Sequence, residues 1–139
     1  MKMTEAFAEY GATLKNKQWA CSAIADDGSV VVSLWQQFFR RSPTGGMRYE
    51  DSFWRWDVNK LGQNLMREQL RQALDNSLPI RVVIAIPETD EGKKEIEDGK
   101  PTNKLKKSFE TKKSWTGRVV VLEDGRFVID FDTATVSHK

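Results

Sequence analysis

The sequence predicts an α+β fold: a bent, mostly antiparallel sheet or small open barrel, with one long amphipathic helix and a short N-terminal helix. Three observations carry this. Two pairs of β-rich runs each meet at an Asp-Gly turn, WACSAIA with SVVVSLW near the start and TGRVVVL with RFVIDF near the end. Between them, LPIRVVIAIP is an apolar, β-branched run bounded by two prolines. A stretch from Lys60 to Asn76 repeats leucine and alanine at helical spacing.

The elements follow in order. Thr4 is positioned to cap a short helix carrying Ala6, Phe7, Tyr10 and Leu14, with Glu5 in its first turn and Gly11 weakening its end. The first hairpin comes next, because Asp-Gly supplies the positive φ that a primed two-residue turn needs. QQFFRRSPTGGMRYED holds a proline and a glycine pair and reads as a loop after residue 41. SFWRW, residues 52–56, reads as a strand with Trp54 and Trp56 on one face and Phe53 and Arg55 on the other. On that reading Phe53 is core and at least one of the two tryptophans is exposed.

Asn59 is placed to cap the long helix, whose expected buried stripe is Leu61, Leu65, Leu70, Ala73 and Leu74. Lys60, Asn64, Arg67 and Arg71 recur at i, i+4, i+7 and i+11 and form a basic ridge, part of which Glu68 can neutralise by pairing with Arg71. LPIRVVIAIP is a central strand buried on both faces. From about 88 to 114 the chain is polar and lysine-rich with few apolar anchors, which predicts a mobile binding loop. The C-terminal hairpin closes one domain, 1–139, a length sufficient for a self-sufficient core.

Composition narrows the chemistry. With 39% hydrophobic and 30% charged residues this is the profile of a soluble globular chain. No apolar run reaches the roughly 20 residues of a membrane helix, and the acidic N-terminus lacks a secretory h-region, so a cytoplasmic protein without membrane partner is expected. Cys21 is the sole cysteine and reads as a small buried hydrophobe. His138, the sole histidine, sits in the C-terminal tail, a poor place for a catalytic base. Ser-His and Cys-His catalysis and most zinc chemistry are thereby removed, no phosphate-loop or dinucleotide motif is present, and no cofactor or metal is predicted.

What remains is charge distribution and aromatics. Lys100, Lys104, Lys106, Lys107, Lys112, Lys113 and Arg118 crowd one segment against a single acid, Glu110. Such asymmetry predicts a basic patch for a polyanion, with a solvated lysine-rich loop as the bland alternative. The leading expectation is a non-catalytic nucleic-acid-binding module, for DNA or RNA. Lys104, Lys106, Lys107, Lys112 and Lys113, with Arg67 and Arg71, would neutralise phosphates; Arg40, Arg41 and Arg48 would position the backbone; and Trp54, Trp56 or Trp115 would stack a base beside Arg55. A small accessory or inhibitor protein that binds another protein through the same aromatics and arginines is the second reading. A metal-dependent nuclease fragment is the third, with Glu50, Asp51, Asp57, Glu88, Asp90, Asp130 and Asp132 as candidate carboxylates. By fold analogy alone, this order of elements is compatible with small barrels that read nucleic acids, such as the PUA-like group.

Overall fold

A computed structural model describes residues 1–133 except 44, 57, 58 and 103, and of residue 56 the backbone only. The Trp56 side chain, Asp57 and His138 therefore lie outside the described residues. The chain runs α1 (Met3–Ala8), β1 (Ser22–Ile24), β2 (Val30–Trp35), β3 (Phe39–Arg41), β4 (Met47–Ser52), α2 (Lys60–Asn76), β5 (Ile80–Pro87), α3 (Asp90–Glu97), β6 (Lys107–Thr111), β7 (Thr116–Leu122) and β8 (Arg126–Asp132). All eight strands join one open, bent sheet in the order β1-β2-β5-β7-β8-β4-β3, with β6 also on β5. Among the described residues only β2 and β5 run parallel; every other pairing is antiparallel.

Both Asp-Gly hairpins form, β1/β2 and β7/β8. The run between the two prolines becomes β5, which takes β2 on one edge and β6 then β7 on the other. β6 and β7 are two halves of one bent run: a turn in which the Trp115 N–H donates to the Lys112 carbonyl breaks the strand, and at Gly117 the chain leaves β5 for β8. Gly117 is needed there, since a Cβ would sit 2.6 Å from the Phe131 ring.

Strand alternation splits the core into two layers. Val30, Val32 and Leu34 of β2 and Ile80, Val82 and Ile84 of β5 share the main core with Met66, Leu70 and Ala73 of α2 and with Tyr49, Phe127, Ile129 and Phe131. Val31 and Val83, on the opposite face, pack with Ala6 and Phe7 of α1. Cys21 is buried.

Four expectations are corrected. First, SFWRW is not a strand: β4 ends at Ser52, opposite the first residue of β8, and Phe53–Trp56 form a 3-10 turn. With no strand left to pair, the Phe53 N–H donates to the Gly125 carbonyl and the Phe53 carbonyl accepts from Gln63 Nε2. Phe53 is nonetheless core at 2% exposure and Trp54 is 48% exposed. Second, α2 begins and ends as expected and Asn59 caps it, accepting from the Gly62 N–H, but its buried stripe is rotated to Gly62, Met66, Leu70 and Ala73. Leu61 and Leu74 are exposed, because the small Gly62 admits the backbone to within reach of the Trp19 carbonyl and Asn59. Third, the lysine-rich segment 88–114 carries α3 and β6. Thr89 caps α3 by accepting from the Gly92 N–H, and β6 completes the β5 edge. Fourth, α1 starts at Met3, with Thr4 inside it; the Glu5 carboxylate accepts from the Lys2 N–H.

Candidate functional site

α1 spans six residues, so only about 9 Å, whereas a strand of β2's six residues runs about 20 Å. The helix packs against β5 and β6, and its first residue, Met3, borders the far end of that face. There Ser33 and Trp35 of β2, Ala85 of β5 and Phe109 of β6 line a cleft of about 850 Å³. It lies at the C-terminal ends of β2 and β5, which run parallel. Trp35 pairs with Ala85 and Ala85 with Phe109 in register, so a small side chain separates two aromatic ones across three strands.

One wall is the segment before β1, with Lys17, Gln18 and Trp19. Two asparagines hold it in place. Asn16 Oδ1 accepts from the Gln18 N–H at 2.8 Å and the Trp19 N–H at 3.3 Å, while Asn59 Nδ2 donates to the Trp19 carbonyl at 2.9 Å. The other wall is Lys100, Pro101 and Thr102, with Ile96, Arg55 and Lys107. Arg55 ties that wall to the sheet: its Nε donates to Asp51 Oδ1 at 2.6 Å and its Nη1 to the Glu97 carbonyl at 2.8 Å. Its guanidinium also lies 4.3 Å from the Phe38 ring centroid and 4.8 Å from that of Trp54. Trp54 in turn rests on Gly99 (φ +73°), where a Cβ would approach the indole to 2.5 Å.

The electrostatics of the cleft are one-sided. Lys17, Arg55, Lys100 and Lys107 line it, and among the described residues no Asp or Glu does. Only Arg55 of the four has a carboxylate partner among the described residues, the buried Asp51. Burial pushes the Asp51 carboxyl above the usual range, against the pull of its hydrogen bonds from Tyr49 and Ser52 and the charge of Arg55. Lys107 is half-buried; its Nζ donates to the carbonyls of Thr102 at 2.9 Å and Leu105 at 3.2 Å. Burial pushes its pKa down.

Of the residues singled out in the sequence, Arg55, Lys100 and Lys107 line this cleft. Lys104 and Lys106 are exposed on the segment that forms its second wall. The rest lie elsewhere. Arg40 and Arg41 are exposed on β3, Arg40 loosely paired with Glu50 at 3.8 Å. Arg48 is taken up by a two-pronged bond to Asp130, at 2.6 and 2.9 Å, which holds the Asp130 carboxyl below the usual range. Arg67 donates to the Asp124 carbonyl and to Gln63 and covers the Phe53 ring at 4.0 Å. Arg71 pairs with Asp75, not Glu68. Lys112 and Lys113 pair with Glu110 and Glu9, and Trp115 packs edge-on against Phe39 and beside Phe131.

Lys17, Trp19, Trp35 and Phe109 escaped the sequence reading as site residues, whereas Lys100 belongs to the basic patch it predicted. KNKQW did carry a signal, a tryptophan beside two lysines, and Trp35 stood at the end of an apolar run. Among the described residues no group of three or more His, Cys, Asp or Glu is placed to hold a metal ion, and no helix is long and apolar enough to cross a membrane. No family model, curated protein or solved structure matches the chain.

Proposed function

We propose that the protein is a nucleic-acid-binding module whose contact surface is the cleft at the ends of β2 and β5 and the basic segment beside it. The observation that carries this reading is the cleft lining: among the described residues, four cations and three aromatic rings with no carboxylate. Nucleic acid is the polyanion whose flat bases use aromatic surface and whose phosphates use lysines in the same site. Lys17, Lys100, Lys104 and Lys106 are exposed and contact phosphates; Lys107 and Arg55 line the interior. Arg48 and Arg67 belong to the fold on this reading, because their donors are already used within the chain.

The test is the salt dependence of binding to a fluorescent single-stranded oligonucleotide. Replacing Lys17, Lys100 and Lys104 by Ala leaves thermal stability unchanged, since exposed charges contribute little. The same change lowers affinity and flattens the log–log salt slope by about 0.7 for each phosphate of the single strand that is no longer neutralised. An unchanged slope would overturn the reading and favour a protein partner.

A further inference from the structure

We propose that the cleft is a pocket for one unstacked nucleotide of a bound strand, its base between Trp35 and Phe109 under Trp19 and its phosphate on Lys107. This rests on the nucleic-acid reading and narrows it to a single base unit. The first support is the row Trp35–Ala85–Phe109, set by strand register. Neighbouring strands lie about 4.8 Å apart, so the outer two Cα positions are separated by roughly 10 Å. With only a methyl group on the strand between them, Trp35 and Phe109 flank the place proposed for the base. Ala85 lines the cleft between them.

Size gives the second support. A cleft of about 850 Å³ falls within the roughly 300–1,000 Å³ of pockets that enclose one small ligand. It has room for a nucleotide and none for a stacked duplex. The third support is Lys107. Its ammonium is half-buried, aimed by two backbone carbonyls, and has no carboxylate partner among the described residues. Carbonyl dipoles orient such a charge without neutralising it, and burial makes an unneutralised charge costly. A phosphate oxygen supplies the missing counter-charge. Asn59 is a positioning residue: one end of its carboxamide holds the Trp19 carbonyl and the other caps α2, so neither faces the base.

The experiment uses the intact chain and two single-stranded 12-nucleotide probes with equal phosphates, one with natural bases and one carrying tetrahydrofuran abasic sites throughout. The natural strand is expected to bind roughly 10-fold to 100-fold more tightly and to quench tryptophan fluorescence, because a stacked base contributes on that scale. Both probes should share one salt slope. Ala85→Leu, which fills that place, is expected to abolish the difference between the probes and leave the slope unchanged; Trp19→Ala should do the same should the first variant fold poorly. Lys107→Ala is expected to reduce the slope by about 0.7. Equal binding of the two probes overturns the pocket while leaving nucleic-acid binding intact. Binding of neither overturns both readings. A nucleoside 5′-monophosphate that displaces the natural strand supports the pocket; one that binds while neither strand does overturns the assignment to a strand and gives the cleft to free nucleotides.

Discussion

Arg55→Gln is the substitution whose cost can be worked out most fully. Asp51, its partner, has a side chain only 2% exposed. The carboxylate accepts from Arg55 Nε at 2.6 Å, the Ser52 N–H at 2.7 Å and the Tyr49 hydroxyl at 2.8 Å. Removing one partner of a buried ion pair costs roughly 3–5 kcal/mol, because the other charge is left without compensation. Two features place this case at the low end. Asp51 keeps two hydrogen bonds, and its carboxyl, already raised by burial, can take up a proton. The expected loss at pH 7 is therefore about 3 kcal/mol, or roughly 10 °C in Tm for a chain of this length.

The sign of the pH dependence follows from linkage. Between the unfolded carboxyl pKa of about 3.9 and the raised folded value, the folded state binds more protons, so stability falls as pH rises. Loss of Arg55 raises the folded value further. Urea denaturation followed by tryptophan fluorescence at pH 7, 5.5 and 4.5 should thus show the penalty shrinking toward acid. Adding Asp51→Asn should restore part of the loss at pH 7. A penalty below about 1 kcal/mol, or one constant across that range, would refute the account of Asp51 as a buried carboxylate dependent on Arg55.

Two further outcomes are expected. Asp130 presents the opposite case: Arg48 lowers its folded pKa, so its contribution is present above the unfolded value of about 3.9 and lost as pH falls through the folded one. The difference in stability between the parent and Asp130→Asn should accordingly hold from pH 7 to about 4 and close only below it, as read by acid titration of the circular dichroism signal. Phe53→Ala, at 2% exposure and 4.9 Å from the Phe127 ring, should cost roughly 3–5 kcal/mol. Trp54→Ala, at 48% exposure, should cost about 1 kcal/mol in the same urea titration; equal losses would contradict the turn geometry.

Much of the fold was legible because its signals are local. An Asp-Gly pair between β-branched runs specifies a hairpin within about ten residues, and Asn59 announces α2 three residues ahead of the N–H it caps. Where local signals conflicted with long-range ones, the latter won. SFWRW alternates like a strand, yet it lacks a neighbour, since β8 begins opposite Ser52. The leucines at 61 and 74 are apolar, yet the close approach of Gly62 to the Trp19 loop turns α2 so that they face outward.

Amino-acid order alone determined the α+β class, the helix Lys60–Asn76, the central strand, the buried Phe53 and the concentration of positive charge after residue 99. Tertiary structure alone decided which of the chain's positive charges are available and where the aromatic surface is. Arg48 meets a carboxylate 82 residues away, and Arg55 a carbonyl 42 residues away; their use as internal partners has no local signature. The cleft draws Trp19, Trp35, Ala85 and Phe109 from four separate stretches. The pairing of β2 with one edge of β5 and of β6 with the other brings three of them together. Local sequence encodes backbone conformation through interactions a few residues apart, whereas a site is a coincidence of distant side chains, and strand register is the physical quantity that sets it.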